Sequence, residues 1–167
     1  IRRQRQMCIR DSKKTAALFA ACTKAAAFSV GVGEEEAERA RLLGEYIGIC
    51  FQIKDDIFDY FDNREIGKPT GNDMLEGKLT LPALYVLNTA KNDEAQELAI
   101  KVKEGTATLD EIARLIAFTK ENGGIEYAVR TMNAYKQKAF GLLASLPDSA
   151  ICVALRSYLD YVVDREK

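Results

Sequence analysis

The 167-residue chain carries 24 Lys plus Arg against 25 Asp plus Glu, a formal charge of −1, with 47% hydrophobic and 29% charged residues. That balance supplies a core and a charged surface, and it excludes a disordered chain and a general polyanion binder; no nucleic-acid partner is expected. Histidine is absent from the sequence, which removes Ser-His-Asp and Cys-His nucleophilic sites, HExxH zinc sites and imidazole proton relays.

In chain order, nearly every periodic segment has helical spacing and none alternates like a strand. Thr15 to about Val30 reads as a helix of small residues, stopped by Gly31 and Gly33. Glu34 to about Asp62 reads as one long helix whose acidic opening suits a positive helix N-terminus. Residues 63–78, NREIGKPTGNDMLEGK, read as a polar glycine-rich loop. Leu79 to about Ala90 is apolar and helical, with Pro82 tolerated in the first turn. Glu94 to Lys103 ends at Gly105, and the capping box Thr108-Leu-Asp-Glu111 opens a helix stopped by Gly123-Gly124. Ile125 to Leu146 follows, closed by Pro147. Asp148 or Ser149 then caps a last helix with Leu155, Leu159 and Val162 on one face. The expectation is an all-α chain in one piece.

Cys8, Cys22, Cys50 and Cys152 are scattered, without a CxxC pair. They read as four buried or half-buried thiols of a reducing cytoplasm rather than a zinc site. No apolar run is long enough to span a membrane. Arg2, Arg3, Arg5, Arg10, Lys13 and Lys14 before the alanine-rich run 16–27 superficially resemble a targeting peptide. Lys24 interrupts that run, and small residues have an ordinary use in close helix packing.

The most informative segment is FQIKDDIFDY, residues 51–60. On a helix, Asp55, Asp59 and Asp56 fall within about 100° of one another, with Gln52, Gly44 and Gly48 on or beside that face. Tyr46, Cys50, Ile53, Ile57, Tyr60 and Phe61 form the opposite, core-facing stripe. Three carboxylates so close repel one another, and on spacing alone a solvated acidic face explains them. A cation in the site explains them better once Gln52 and the glycines are counted. Oxygen donors without histidine or thiolate favour Mg²⁺, with Mn²⁺ as the alternative, and Mg²⁺ commonly combines one or two carboxylates with substrate phosphates. Downstream, Gly67-Lys68-Pro-Thr-Gly71-Asn-Asp73 and Glu76-Gly77-Lys78 set two lysines in the loop beside the carboxylates. Acidic metal ligands beside lysines suit a metal–diphosphate substrate.

FQIKDDIFDY followed by GKPTGNDMLEGKLTLP resembles the second aspartate-rich region of trans-isoprenyl diphosphate synthases, the polyprenyl synthetases. Lys14-Thr15 is similar to the family's upstream Lys-Thr pair, and the resemblance runs over about residues 13–167. It implies an antiparallel helical bundle of the isoprenoid synthase type, here incomplete, with the N-terminal helices missing. It implies Asp55 as a direct Mg²⁺ ligand, with Asp56 and Asp59 completing the metal cluster or holding metal-bound water. Lys14, Lys68 and Lys78 are implied to contact the allylic diphosphate, Thr15 and Gln52 to line the same cavity, and Asp73 to stand behind them. The implied reaction condenses an allylic diphosphate with isopentenyl diphosphate. Phe51 and Phe58 flank the stripe, where core packing competes with cavity lining.

Two features depart from the family pattern. The sequence holds one DDxxD, and Glu34-Glu35-Glu36 lacks the spacing of another. Residues 1–12, IRRQRQMCIRDS, do not resemble the family's approach to the Lys-Thr pair and read as an artefactual basic start. The expectation is therefore a C-terminal portion of a prenyltransferase carrying half of the cleft, inactive alone, and homodimeric in its full-length form. The alternatives are a non-catalytic partner subunit or helical dimerisation module of a longer synthase, and, ranked below both, a terpene cyclase. Part of the apolar content is expected to lie exposed.

Overall fold

The computed structural model describes the backbone of residues 2–61 and 70–166, and side chains from residue 14 onward within those ranges. The basic start, Cys8, Gly67 and Lys68 therefore lie outside the residues whose side chains are described. Among the described residues there are eight helices and no strand: α1 (Arg2–Ser29), α2 (Glu34–Phe58), α3 (Asn72–Leu75), α4 (Leu81–Thr89), α5 (Asp93–Glu104), α6 (Leu109–Glu121), α7 (Gly124–Ala144) and α8 (Ala150–Asp164). The all-α expectation holds. No helix among them is long and apolar enough to cross a membrane.

Three boundaries differ from the sequence reading. The first helix runs back to Arg2 rather than starting at Thr15, because no breaker lies in residues 2–14. Helix α2 stops at Phe58 instead of continuing to Asp62. The glycine-rich loop contains a short helix, α3, that its polar composition masked. The caps follow local chemistry closely. Thr108 and Glu111 form the reciprocal capping box, with Thr108 Oγ1 accepting from the Glu111 amide at 3.3 Å. Ser149 rather than Asp148 caps α8, its hydroxyl accepting from Cys152 N at 3.2 Å.

The described residues divide into two compact units, one built on Asp55–Arg130, the other on Ile9–Lys54 with Thr131–Glu166. The division falls inside α2 and α7 rather than in linkers.

In the second unit, α1 and α2 run antiparallel along a seam of small residues. A Cβ on Gly48 would lie 2.6 Å from Ala16 Cα, and one on Gly44 would lie 2.5 Å from Phe19 O and 2.3 Å from Thr23 Oγ1. Ala16 and Ala20 are buried along the same line. The glycines taken from sequence as flanking a ligand face are thus used for backbone approach. Phe51, half-buried, is held between the Phe19 ring, 6.0 Å away, and the Arg165 guanidinium, 4.1 Å from its centroid. Lys136 reaches Asp160 at 2.7 Å and Asp164 at 3.6 Å, fastening α7 to α8. Cys50 and Cys152 are buried as expected, whereas Cys22 is exposed, against the expectation; burial pushes the Cys50 thiol up to about 12.

In the first unit, α3, α4 and α5 pack on α6 or on one another around Tyr60, Met74, Leu79, Ala83, Leu98, Val102, Ile112, Leu115 and Ile116. In the second unit apolar side chains remain exposed, among them Leu18 and Val30 around α1 and Ile151, Val153 and Tyr161 on α8.

Gly44→Ala should lower stability by about 1 kcal/mol or more in urea unfolding, because overpacking of roughly 1–3 kcal/mol outweighs a helix-propensity gain of about 1 kcal/mol. A stabilised variant would contradict the close seam. Iodoacetamide at neutral pH should modify exposed Cys22 in the folded chain and reach Cys50 only after unfolding, read by peptide mass mapping.

Candidate active site

The end of α2 shapes the site. Tyr60 N donates to Ile57 O and Phe61 N to Phe58 O, both at 3.1 Å, tightening the last turn so that the helix closes. Tyr60 then drops into the core at 2% exposure, its hydroxyl 3.3 Å from Thr80 Oγ1. Thr80 occupies the cap position of α4 without capping it. Its hydroxyl instead meets Tyr60, tying the end of α2 to the start of α4. Burial first, and then the fields of Asp56 and Asp59, push the Tyr60 hydroxyl well above its ordinary range.

Phe61, expected on the core stripe, is 46% exposed, with the Lys120 ammonium 4.6 Å from its ring centroid. The helical projection that placed it inside ceases to apply after Phe58. Cys50, Ile53 and Ile57 are buried as that projection predicts, and Tyr60 is buried by the closing turn instead.

The three aspartates are not equivalent. Asp56 is 7% exposed, so it does not sit on a solvated face. Asp59 lies beyond the helix and accepts three successive amides. Its carbonyl takes Gly71 N at 2.9 Å, Oδ1 takes Asn72 N at 3.0 Å, and Oδ2 takes Asp73 N at 3.1 Å. Asp55, one turn earlier, takes the Asp59 amide on its own carbonyl at 3.3 Å.

The described part of the loop is fixed at several points. Gly71 has φ +82°, and a Cβ there would come within 2.8 Å of Ile112 Cγ2, so glycine is required twice over. Met74 is buried. Gly77 turns at φ +75°, and its carbonyl accepts from Lys103 Nζ at 3.0 Å. Lys78 N donates to Asp73 O at 2.7 Å, and Lys78 Nζ to Glu76 Oε2 at 2.7 Å. Burial raises the Asp73 carboxyl above its usual range; the charges of Asp59, Glu76 and Asp55 add to this and Lys78 opposes it.

The first unit therefore brings together Asp55, Asp56, Asp59, Asp73 and Lys78 of the residues singled out from sequence. Lys14, exposed, and Thr15, half-buried, stand on α1 in the second unit, with Gln52 on the part of α2 that belongs there. What the sequence did not disclose is α3, the amide-holding role of Asp59, and the Tyr60–Thr80 tie. The one available signal was Gly71-Asn72-Asp73 before apolar Met74-Leu75, a helix-start pattern too short to separate from a turn.

Among the described residues no group of three or more acidic or cysteine side chains converges to hold a metal ion unaided. The donor chemistry is nevertheless that of a hard divalent cation. Asp55 and Asp56 offer only oxygen, and phosphate oxygens of a substrate complete such sites for Mg²⁺.

The chain matches the polyprenyl synthetase family over residues 6–119. It is 35% identical over 158 residues to heptaprenyl diphosphate synthase component 2 of Geobacillus stearothermophilus, covering 94% of this chain and 48% of that one. A crystal structure of geranylgeranyl pyrophosphate synthase from Bacteroides thetaiotaomicron superposes with a TM-score of 0.88 at 75% identity, over 92% of this chain and 51% of that one. A polyprenyl synthase from Caulobacter crescentus CB15, crystallised with calcium and isoprenyl diphosphate, superposes with a TM-score of 0.80 at 33% identity, over 92% of this chain and 47% of that one. The chain thus spans about half the length of these relatives. The order of its motifs, its helical fold and the match over residues 6–119 agree: the chain belongs to the polyprenyl synthetase family.

Proposed function

We propose that this chain supplies the part of a prenyltransferase cleft that grips the diphosphate of an allylic substrate, in an enzyme that elongates it with isopentenyl diphosphate. The observation that carries this reading is the surplus of negative charge in the first unit. Asp55, Asp59, Asp73 and Glu76 share one region with Lys78, which is already engaged by Glu76, and Asp56 acts with Asp59 on neighbouring Tyr60. Such a set is stabilised by a divalent cation and a polyanion arriving together.

In this reading Asp55 and Asp56 hold Mg²⁺, or Mn²⁺, against the substrate diphosphate. The bound cation supplies neutralisation of the charge that grows on the departing pyrophosphate. Lys78 contributes in the same sense. Its pairing with Glu76 is solvent-exposed, and such pairs exchange partners readily, so its ammonium is able to turn to a phosphate oxygen. The hydrogen bond from its amide to Asp73 keeps the main chain in place while the side chain swings. Lys68 and Lys14 are assigned the same phosphate-binding task, and Thr15 and Gln52 the lining beside it. The Caulobacter crescentus relative, crystallised with calcium and isoprenyl diphosphate, supports this chemistry by analogy. The proposal extends to a cytoplasmic enzyme that is a homodimer at full length, and to a 167-residue chain that condenses little or nothing alone.

A second reading is favoured by one observation. The Geobacillus stearothermophilus relative is a component 2, a name that implies another component, and by that analogy this chain is one partner of a longer synthase. Retention of Asp55, Asp56 and Lys78 argues against a purely structural partner, because an anion cluster destabilises a fold that makes no use of it.

Two outcomes are expected. Because the Asp73 carboxyl is raised in the fold, the folded state binds its proton more readily than the unfolded chain does. The ionised group is therefore a stability penalty at neutral pH that disappears as pH falls through the carboxylate range. Asp73→Asn should be more stable than the parent in urea at about pH 7, with the difference narrowing toward about pH 4. Calorimetry should show Mg²⁺-dependent binding of an allylic diphosphate, abolished by Asp55→Ala with Asp56→Ala and weakened about tenfold by Lys78→Ala, in line with a charge-assisted bond. Binding that ignores both the metal and the aspartates would overturn the assignment, and robust elongation of a primer with radiolabelled isopentenyl diphosphate by this chain would overturn its incompleteness.

A further inference from the structure

The carboxylate of Asp59 is held by the main chain. Both carboxylate oxygens accept main-chain amides, from Asn72 at 3.0 Å and Asp73 at 3.1 Å, and its carbonyl accepts Gly71 N at 2.9 Å. Three consecutive amides turned on one residue form a small anion-holding concavity. The charge of Asp59 thereby has partners within the protein, whereas that of Asp73, half-buried beside Asp59 and Asp55, is disfavoured. The hydrogen bonds continue onward. The Asp73 carbonyl, behind the amide that Asp59 holds, accepts Lys78 N at 2.7 Å. Gly71 and Gly77, fixed against Ile112 and Lys103, bracket the segment and leave it little freedom to shift.

We propose that Asp59, the last aspartate of DDIFD, is a positioning residue: it anchors the segment 71–78 and so sets the place of Lys78, while the cation is left to Asp55 and Asp56. The assignment of Lys78 to a diphosphate rests on the function proposed above; the anchoring itself does not. It also gives the DDxxD spacing a physical reason. The first two aspartates stay on the helix, and the third falls past its end, where its carboxylate meets the returning loop.

Hydrogen exchange on the 167-residue chain tests the anchor. Asp59→Ala should speed exchange of the Asn72 and Asp73 amides at least tenfold, with a smaller increase at Lys78. Asp59→Asn, which keeps one acceptor and the side-chain shape, should do so at only one of the two amides. Circular dichroism confirms that each variant is folded, and the asparagine variant serves if the alanine variant is not. Wild-type exchange at both amides in the folded variants would overturn the anchor.

The second arm uses inorganic pyrophosphate as the probe, titrated at several Mg²⁺ concentrations. Asp55→Asn should raise the Mg²⁺ needed for half-maximal binding. Asp59→Asn should leave that requirement within about twofold of the parent and weaken pyrophosphate itself, and adding Lys78→Ala to it should do no more than Lys78→Ala alone, as expected of residues acting in series. An Mg²⁺ requirement shifted by Asp59→Asn as far as by Asp55→Asn would make Asp59 a metal ligand and overturn the proposal. If the parent chain binds no pyrophosphate at any Mg²⁺ concentration, the diphosphate reading fails, and the exchange measurement still decides the anchor.

Discussion

The hinge of the first unit is the carboxylate of Asp59 meeting the amides of Asn72 and Asp73. Helix α2, having presented Asp55 and Asp56, ends at Phe58, and Asp59 lies just past that end, where its carboxylate meets the loop. The tight turn over Ile57–Phe61, the burial of Tyr60 and its meeting with Thr80 all follow from that ending. So does the return of the chain along α3 with Asp73 and Lys78 held close to the aspartates that preceded them. Within that run of anions, Asp59 is the one whose carboxylate the Asn72 and Asp73 amides hold.

The second unit is governed by a different constraint, backbone proximity. Gly44 and Gly48 let α2 lie against α1 at distances that no side chain would permit. The alanine-rich composition of α1 is the other half of that contact. Charge and aromatic pairings, Lys136 with Asp160 and Arg165 with Phe51, then fasten α7 and the C-terminal end to the same unit. Neither feature performs chemistry, yet both bear on α2, whose last turn carries Asp55 and Asp56.

Much of this was legible in the sequence because it is local. Gly105, Thr108 with Glu111 and Ser149 end or begin helices through caps formed within a few residues, and each does so in the structure. The buried stripe of Cys50, Ile53 and Ile57 follows from helical periodicity alone. What escaped is non-local. Phe61 was misplaced because periodicity extrapolates past a helix end set by residues ten or more positions downstream. Gly44 and Gly48 were read toward a ligand because sequence shows that a surface is smooth without showing what lies on it. Asp59 was grouped with Asp55 and Asp56 by spacing, and only the position of the Asn72 and Asp73 amides separates it from them. The family was legible for yet another reason: its signature residues lie contiguously, from FQIKDDIFDY to EGKLTLP.

The central claim is that the remaining aspartates form a partial cation site, completed by a diphosphate rather than by further protein ligands. Electron paramagnetic resonance of Mn²⁺ titrated into the chain, with and without inorganic pyrophosphate, addresses it most directly. The account predicts weak Mn²⁺ binding to the protein alone and a marked tightening when pyrophosphate is present, lost in Asp55→Ala. Tight Mn²⁺ binding that pyrophosphate does not change, or a tightening that survives Asp55→Ala, would contradict it.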